Sequence, residues 1–332
     1  MGAARNYRGL LAIFLGVLLA LVLLELGLRV WSPVPLEDAE RTAARPEGAS
    51  PPNSAFQQDE ILGFKPVLDG TDYGTHGAVR NEYALEKRPG VRRLLFVGDS
   101  ATHRGQIVAG LRAELGEGVE YWNAGVEGYS TFQELEYYRQ LESIHADHVV
   151  LTFHLNDYGA TPVAFQSGEG VITMSERRVV SRPIGWLWRA SYLYRLVLLL
   201  RLERPEPDEP DEPSDQGEPG EPSPAPDIHE EIARSLVEFR DLVRSRGAEF
   251  SVIVLPWLRA RSDWPWRMVR RHADTLALLE REGIRHYSFL DELAAALAEG
   301  EPVQEVPRDP QHPSAAFGRR MARSMLAHGF TP

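Results

Sequence analysis

Five short apolar runs, separated by amphipathic stretches, restrict the fold of this 332-residue chain more than any other feature. The apolar runs lie at 92–97, 119–122, 147–153, 249–255 and, in weaker form, 284–287. The stretches with helical periodicity lie at 104–116, 130–145, 229–246, 268–282 and 313–327. Runs that are apolar on both faces and alternate with helices are typical of parallel strands covered on both sides. The pattern therefore predicts a doubly wound α/β sheet with right-handed crossovers.

A longer apolar run near the N-terminus predicts a membrane anchor. Residues 10–24 are apolar without interruption. Extended through Trp31, the run reaches about 20 residues, which is enough to cross ~30 Å of hydrocarbon as a helix. Two arginines precede the run, so the N-terminus is expected to stay in the cytoplasm. We predict a cytoplasmic segment at 1–8 and a transmembrane helix at 9–31.

An alternative for the same run is a cleaved signal peptide, whose apolar core is also short. No cleavage site of the A-x-A kind follows the run, and the chain has no cysteine to carry a lipid anchor. Glu25 and Arg29 are one helical turn apart and are placed to pair near the outer end of the helix. Both alternatives place the rest of the chain outside the cytoplasmic membrane.

Most of the net charge of −12 lies in one proline-rich segment. Residues 203–227 hold ten Asp or Glu against one Arg, a net of −9, together with eight Pro, so the rest of the chain carries only −3. Such a segment cannot bury apolar surface, and we predict a disordered loop at 203–228. An acidic chain without clustered Lys and Arg also argues against nucleic acid as a partner.

The remaining chain is predicted to form a spacer and one domain. Residues 32–60 are polar, rich in proline and aperiodic, which is typical of a flexible spacer. The domain covers 61–332 and contains an insertion at 160–228. An apolar helical stretch in the insertion, at 184–204, is interpreted as a helix packed on the domain. The alternative interpretation is a helix on the membrane surface.

Polar and glycine-rich motifs follow the predicted strands, at the edge where ligands bind in sheets of this kind. They are Gly98-Asp99-Ser100, "NAGVEGYST" at 123–131, "HLND" at 154–157 and "DPQHPS" at 309–314. Together they supply a hydroxyl group, backbone amides, a carboxamide and an Asp-x-x-His pair. These are the groups that acyl transfer requires.

Each of these groups has a candidate role. Ser100 is the candidate nucleophile, His312 is the base that takes its proton, and Asp309 is the acid that orients the imidazole. The candidate oxyanion donors are the backbone amides of Ser100 and Gly128 and the side-chain amide of Asn156.

Two of these assignments have a competitor, and no cofactor is expected. Gly125 competes with Gly128 for the oxyanion role, and Asp291 competes with Asp309 as the late acid. The absence of cysteine excludes disulfides, thiolate zinc sites and a thiol nucleophile. The histidines do not form an H-E-x-x-H frame, so no metal is expected, and no cofactor motif is present.

His154 and Trp257 are candidate substrate contacts. His154 precedes Asn156 by two residues, so both side chains point to the same side of an extended segment. Trp257 follows the fourth strand and is accompanied by Trp264 and Trp266. The three indoles are interpreted as core or loop packing, and the alternative is a platform for a sugar ring or an acyl chain at the rim of the cleft.

The four motifs resemble the SGNH (GDSL-type) hydrolases. "GDSAT", "NAGVEGYST", "HLND" and "DPQHPS" stand in the order of that family, and the lead-in at 61–90 resembles that of its membrane-anchored members. The resemblance implies a flavodoxin-like three-layer α/β/α sandwich. Together with the apolar runs, the expected fold is this sandwich with a five-stranded parallel sheet, plus one N-terminal transmembrane helix. It implies Ser100, Asp309 and His312 as a catalytic triad. His154 departs from the family pattern, which has glycine at this place.

The sequence predicts a serine esterase attached to a bacterial cytoplasmic membrane, with its catalytic domain on the outer side. It would hydrolyse an ester, such as an O-acyl group on an envelope or exported glycan, or a lipid, through an acyl-enzyme. Two alternatives stay open: an O-acyltransferase that acylates a polysaccharide with the same residues, and a non-catalytic glycan-binding or export module. A glycan substrate would make the envelope polysaccharide machinery a partner.

Overall fold

A computed structural model of the chain describes residues 3–30, 56–59, 61–81, 83–158, 161–166, 172–179, 191–200 and 226–332. Five of the described strands form one sheet, and all neighbours in it are parallel. The described strands are β1 (Phe56–Asp59), β2 (Gly63–Pro66), β3 (Arg92–Gly98), β4 (Val119–Gly125), β5 (His148–His154), β6 (Thr161–Gln166), β7 (Ile172–Val179), β8 (Glu249–Leu255) and β9 (Arg285–Ser288).

The order of strands in the large sheet is β4-β3-β5-β8-β9. The first strand of the sheet along the chain thus lies between the second and the third, which is the order of flavodoxin-like folds. The two remaining strand pairs, β1–β2 and β6–β7, are antiparallel hairpins that pack on each other.

Helices cover both faces of the sheet. Because β4 and β5 lie on opposite sides of β3, right-handed crossovers place the helices that follow β3 and β4 on opposite faces. The described helices are α1 (Ala3–Val30), α2 (Ser100–His103), α3 (Gln106–Leu115), α4 (Thr131–Gln140), α5 (Tyr192–Leu200), α6 (Pro226–Ser245), α7 (Trp266–Arg281), α8 (Leu290–Ala298) and α9 (Ala315–Ala327), with short 3₁₀ segments at Gly116–Gly118, Leu155–Tyr158 and Arg261–Asp263. Helix α9 packs on α3, and α6 packs on α4, which completes a three-layer α/β/α sandwich.

The interior of this sandwich explains why the apolar runs become strands. Every residue of β5 is buried, and six of the seven residues of β3 are buried. Helices α3 and α9 approach each other closely because glycines meet at their contact. A Cβ atom on Gly110 would lie 2.5 Å from the carbonyl oxygen of Gly318, so a larger residue would push the helices apart. This contact holds α9, which begins three residues after His312, against α3.

The fold class predicted from the sequence is confirmed, but some elements differ from the prediction. Strand β1 lies inside the segment 32–60 that was predicted to be spacer, because Phe56 is buried and its ring packs edge-to-face on Phe64 at 5.4 Å. Helix α8 was not predicted. Helix α6 begins at Pro226, inside the predicted loop 203–228, and proline is favoured in the first turn of a helix. Residues 31–55 and 201–225 lie outside the described residues.

Helix α1 is the one described helix that is long and apolar enough to cross a membrane. The apolar window runs from Ile13 to Val30, and its side chains are mostly exposed in the chain alone. Arg29 and Glu25 form the predicted ion pair, with Nε 2.9 Å from Oε1.

The arginine of a buried ion pair in the sheet also binds the segment that precedes β3. Arg93 and Glu120 lie side by side on β3 and β4, both almost without solvent exposure, and Nε donates to Oε2 at 2.7 Å. The same guanidinium donates to the carbonyl oxygens of Leu85 and Ala84 at 2.9 and 3.1 Å. It also lies over the ring of Trp122 at 4.9 Å. The buried guanidinium of Arg93 thus has one carboxylate and two backbone carbonyl oxygens as its hydrogen-bond acceptors.

We expect Glu120→Ala to lower the free energy of unfolding by about 3–5 kcal/mol, because it leaves a buried guanidinium without its counter-charge. Glu249→Ala is the matched control, since Glu249 pairs with Arg92 on the surface and both side chains are more than two-fifths exposed. The control is expected to cost about 1 kcal/mol or less. Urea denaturation measures both, and equal losses in the two variants would contradict a structural role for the buried pair.

Candidate active site

The turn after β3 presents Ser100 at the carboxyl edge of the sheet. Asp99 caps the single-turn helix α2, because its Oδ1 accepts the backbone N–H of Ala101 at 2.9 Å. Ser100 is the first residue of this helix. A Cβ atom on Gly98 would lie 2.2 Å from Oγ1 of Thr102, so only glycine allows the chain to fold back so tightly here. The hydroxyl group of Ser100 is therefore held on a rigid turn at the end of a buried strand.

Ser100 and the neighbouring pair Asp309 and His312, although Ser100 and His312 are 212 positions apart in sequence, form one hydrogen-bonded chain. Oγ of Ser100 lies 2.8 Å from Nε2 of His312, and Nδ1 of His312 lies 2.6 Å from Oδ2 of Asp309. A carboxylate can only accept at Nδ1, which places the imidazole proton there and leaves Nε2 free to accept the hydroxyl proton. Asp291, the competing acid, lies exposed in the first turn of α8.

The loop that carries Asp309 is fixed by its own hydrogen bonds. Oδ1 of Asp309 accepts the N–H of Gln311 at 3.0 Å, and the carbonyl oxygen of Pro310 accepts the N–H of Leu258 at 2.9 Å. Burial opposes ionisation of Asp309. The hydrogen bonds from the Gln311 amide and from His312 outweigh this effect and hold the pKa of the carboxyl group below its ordinary value. The carboxyl group of Asp309 is therefore ionised at neutral pH.

One predicted oxyanion donor, Asn156, is hydrogen-bonded to the turn that carries Ser100. Nδ2 of Asn156 donates to Oδ2 of Asp99 at 3.3 Å, and since an amide nitrogen carries two hydrogens, one N–H is left for a ligand. Within the described part of the chain, the backbone amides of Ser100 and Gly128 form no hydrogen bond. Gly128 is also exposed, so its amide is open to a ligand.

Asn123, which is not among the predicted site residues, lies near the end of β4 and holds the turn that carries Ser100. Its Nδ2 donates to the carbonyl oxygen of Thr102 at 2.6 Å, and its Oδ1 accepts the N–H of Gly125 at 2.9 Å. The amide of Gly125 is therefore occupied, whereas the amide of Gly128 forms no hydrogen bond within the described part of the chain. The position of Asn123 at the start of the glycine motif is the signal that could have identified it.

The structure brings His154 close to the site but buries it. Its side chain is almost unexposed, and its Nδ1 accepts the backbone N–H of Asn156 at 3.3 Å. Burial lowers the pKa of His154, so the ring is neutral and its proton is on Nε2. This Nε2 has no hydrogen-bond partner among the described residues. The ring of Trp257 lies 6.3 Å away, whereas Trp264 is buried and Trp266 is exposed.

The histidines that could have suggested a metal are dispersed. His148 lies in the core, where Nε2 is 2.9 Å from Oγ of Ser251, and His103 lies on the nucleophile loop. Among the described residues, no group of three or more His, Asp or Glu side chains is placed to hold a metal ion.

Charged side chains form the rim beside the triad. Arg104 pairs with Glu305 at 2.7 Å, and Nδ1 of His103 lies 3.6 Å from Oε1 of Glu127. His103 also stacks on the ring of Tyr73 at 5.5 Å. The adjacent His103 imidazole, helped by the positive charge of Arg104 and opposed by burial, holds the pKa of Glu127 below its ordinary value. The surface beside the triad is thus polar and carries both signs of charge.

A buried carboxyl group without a donor lies close to Asp99 and Asp157. Glu134 in α4 is fully buried, and neither of its side-chain oxygens has a hydrogen-bond partner among the described residues. Burial, together with the charges of Asp157 and Asp99, raises the pKa of Glu134 well above its ordinary value. We therefore expect Glu134 to be protonated in the folded protein at neutral pH.

Comparison with known proteins gives similar structures but no similar sequence family. No family model matches the chain, and no curated protein matches it. A catalytic mutant of an acetylxylan esterase from Geobacillus stearothermophilus is 15% identical over 74% of this chain and 98% of its own, with a TM-score of 0.44. A member of the lipolytic protein G-D-S-L family from Veillonella parvula is 15% identical over 71% and 97%, with a TM-score of 0.41. The acetyl xylan esterase AlAXEase is 11% identical over 72% and 100%, with a TM-score of 0.42.

The protonation of Glu134 predicts how Glu134→Gln changes stability with pH. Above the ordinary pKa of 4.5, the carboxyl group ionises in the unfolded chain and stays neutral in the folded one, so the wild-type protein loses stability as the pH rises. Glutamine is neutral in both states. Urea denaturation between about pH 5 and pH 9 is expected to show a stability advantage of Glu134→Gln that grows with pH. A difference that stays constant over this range would contradict a neutral Glu134.

Proposed function

We propose that this chain is a serine esterase of the SGNH type, with Ser100 as its nucleophile. The observation that carries the proposal is the hydrogen-bonded chain from Asp309 through His312 to Ser100, with distances of 2.6 and 2.8 Å. This arrangement lies at the carboxyl edge of a parallel sheet, where such folds bind their ligands. A serine within reach of a base that is itself oriented by an acid is the arrangement expected of an activated nucleophile.

In the first half of the reaction, Oγ of Ser100 attacks the ester carbonyl carbon while Nε2 of His312 takes the hydroxyl proton. Asp309 stabilises the imidazolium that forms. The free N–H of Asn156 and the amides of Ser100 and Gly128 stabilise the negative charge on the carbonyl oxygen. The C–O bond to the leaving alcohol then breaks, His312 returns the proton to the alcohol oxygen, and an acyl-enzyme remains.

In the second half, water replaces the alcohol. His312 takes a proton from the water as its oxygen attacks the acyl carbon, and the same donors stabilise the second tetrahedral intermediate. The bond from the acyl carbon to Oγ of Ser100 breaks as His312 returns the proton to the serine. The products are the free acid and the regenerated hydroxyl group.

The polar rim supports an acylated sugar as the substrate in preference to a lipid. The pairs Arg104–Glu305 and His103–Glu127 offer hydrogen-bond donors and acceptors around the opening, which suit the hydroxyl groups of a glycan. Trp257 at the same edge is an aromatic surface on which a sugar ring can pack. In this proposal the buried His154 positions Asn156 by accepting a hydrogen bond from its backbone N–H.

The proposed location follows from α1. Its apolar window crosses a bacterial cytoplasmic membrane with the N-terminus inside, since two arginines precede it. The catalytic domain then lies on the outer side, where envelope or exported glycans are accessible. The partners in this setting are the O-acylated glycan and the machinery that handles it.

Substitutions in the triad test the mechanism. In the detergent-solubilised full chain, Ser100→Ala is expected to abolish hydrolysis of p-nitrophenyl acetate and of O-acetylated oligosaccharides. Asp309→Asn is expected to lower kcat about 10³–10⁴-fold, because the imidazole loses its orienting acceptor. Asp291→Asn is the matched control and is expected to keep the wild-type kcat. Unchanged kcat in Ser100→Ala would overturn the proposal.

The products of the same assay distinguish hydrolysis from transfer. Release of acetate in the absence of an acceptor glycan is the expected result for an esterase. Turnover of the acyl donor that begins only when an acceptor glycan is added, with the acetyl group recovered on that glycan, would replace the esterase with an acyltransferase that uses the same residues.

A further inference from the structure

The apolar helix α5 begins at a carboxylate of the N-terminal helix. Glu25 of α1 accepts three hydrogen bonds from the first turn of α5, each at 2.9 Å: from the hydroxyl group of Ser191 and from the backbone amides of Tyr192 and Leu193. The first amides of a helix have no partner within it, so the carboxylate satisfies groups that would otherwise need water. This contact joins residues that are more than 160 positions apart in the chain.

The position of Glu25 gives the depth at which α5 starts. Glu25 lies within the apolar window Ile13–Val30, five residues before its end. At 1.5 Å per residue, the carboxylate is about 7–8 Å inside the outer end of this window. A carboxylate at such a depth is costly unless it is paired. Arg29 and the first turn of α5 supply its partners, which explains why the apolar helix tolerates an acid here.

The composition of α5 suits a lipid environment. Its sequence, "YLYRLVLLL", contains a single charged residue, Arg195. Val197 is 41% exposed although it is aliphatic. The guanidinium of Arg29 lies 5.6 Å from the ring centre of Tyr192, and Tyr and Arg are residues that favour the boundary between lipid and water. The acidic segment at 203–227, which follows α5 in sequence, is too polar to enter lipid. The apolar stretch therefore ends before residue 203.

We propose that α5 inserts into the outer leaflet beside α1, with lipid acyl chains covering the side of α5 that carries Val197. The catalytic domain is then attached to the membrane at two points, α1 and α5, and this double attachment restricts its orientation. The inference rests on the proposal that α1 spans the membrane. It does not depend on the esterase activity. It also makes α5, the described part of the apolar stretch 184–204, a membrane contact that packs on α1.

Nitroxide labels measure the depth of α5 directly, because the natural chain has no cysteine. The full chain is reconstituted in nanodiscs of phosphatidylethanolamine and phosphatidylglycerol, and a label at Val197→Cys is tested for collisions with oxygen and with a water-soluble nickel chelate. Leu21→Cys, in the α1 window, is the lipid control. Leu297→Cys is the water control, since it is an apolar residue with similar exposure, 36%, on α8. Oxygen collisions are expected to dominate at Val197 as at Leu21.

Each other outcome overturns the inference in a recognisable way. A Val197 label that behaves like the Leu297 label places α5 in water. A label shielded from both reagents and broadened by a second label places α5 against another copy of the chain. If the Leu21 label also contacts the nickel chelate, the membrane span fails together with the inference. Since no step requires turnover, failure of the esterase proposal leaves these results unchanged.

The role of Glu25 is tested in the same nanodiscs. Glu25→Ala removes the acceptor for the first turn of α5 and is expected to move the Val197 label toward the nickel chelate. Glu25→Asp keeps a carboxylate and is expected to retain more of the lipid signal. Melting curves by circular dichroism show whether the variants fold. An unchanged Val197 signal in folded Glu25→Ala would overturn the positioning role of Glu25.

Discussion

The parallel pairing of β3 with β4 and β5 decides where the site residues meet. Gly98 at the end of β3 stands opposite Gly125 on one side and Thr152 on the other. The carboxyl ends of the three strands therefore lie side by side at one edge of the sheet, with about 5 Å between neighbouring strands. The nucleophile turn, the glycine loop and the segment of Asn156 begin there. His312 reaches the same edge because α9, which begins three residues after it, is packed against α3.

The groups at this edge are held in place by hydrogen bonds that take no part in the proposed reaction. Asp99 accepts both the amide of Ala101 and the side chain of Asn156, so one carboxylate links the nucleophile turn to the proposed oxyanion donor. The backbone around Asp309 is bonded to the segment after β8. Such support reduces the rearrangement needed when charge develops in the transition state. The site is therefore rigid where chemistry is proposed, and its rim is polar where substrate is proposed to bind.

Much of this arrangement could be predicted from the sequence, because it depends on local pattern. Strands buried on both faces are visible as apolar runs, and the motifs at their ends are visible as polar interruptions. Strand β1 could not be recognised, since Phe56 is its one apolar residue. Glu134 looks like a surface residue of an amphipathic helix, and only the packing of α4 shows that it is buried. The bonds from Glu25 to the first turn of α5 connect distant segments and leave no local signal.

The most direct test of Ser100 as the nucleophile is covalent labelling of the full chain with a fluorophosphonate, followed by peptide mapping by mass spectrometry. A serine activated by His312 attacks the phosphorus atom, displaces fluoride and retains the adduct. We expect a single adduct on the peptide that contains Ser100, and none in Ser100→Ala. An adduct on another residue, or no adduct on a folded wild-type chain, would contradict the proposed mechanism.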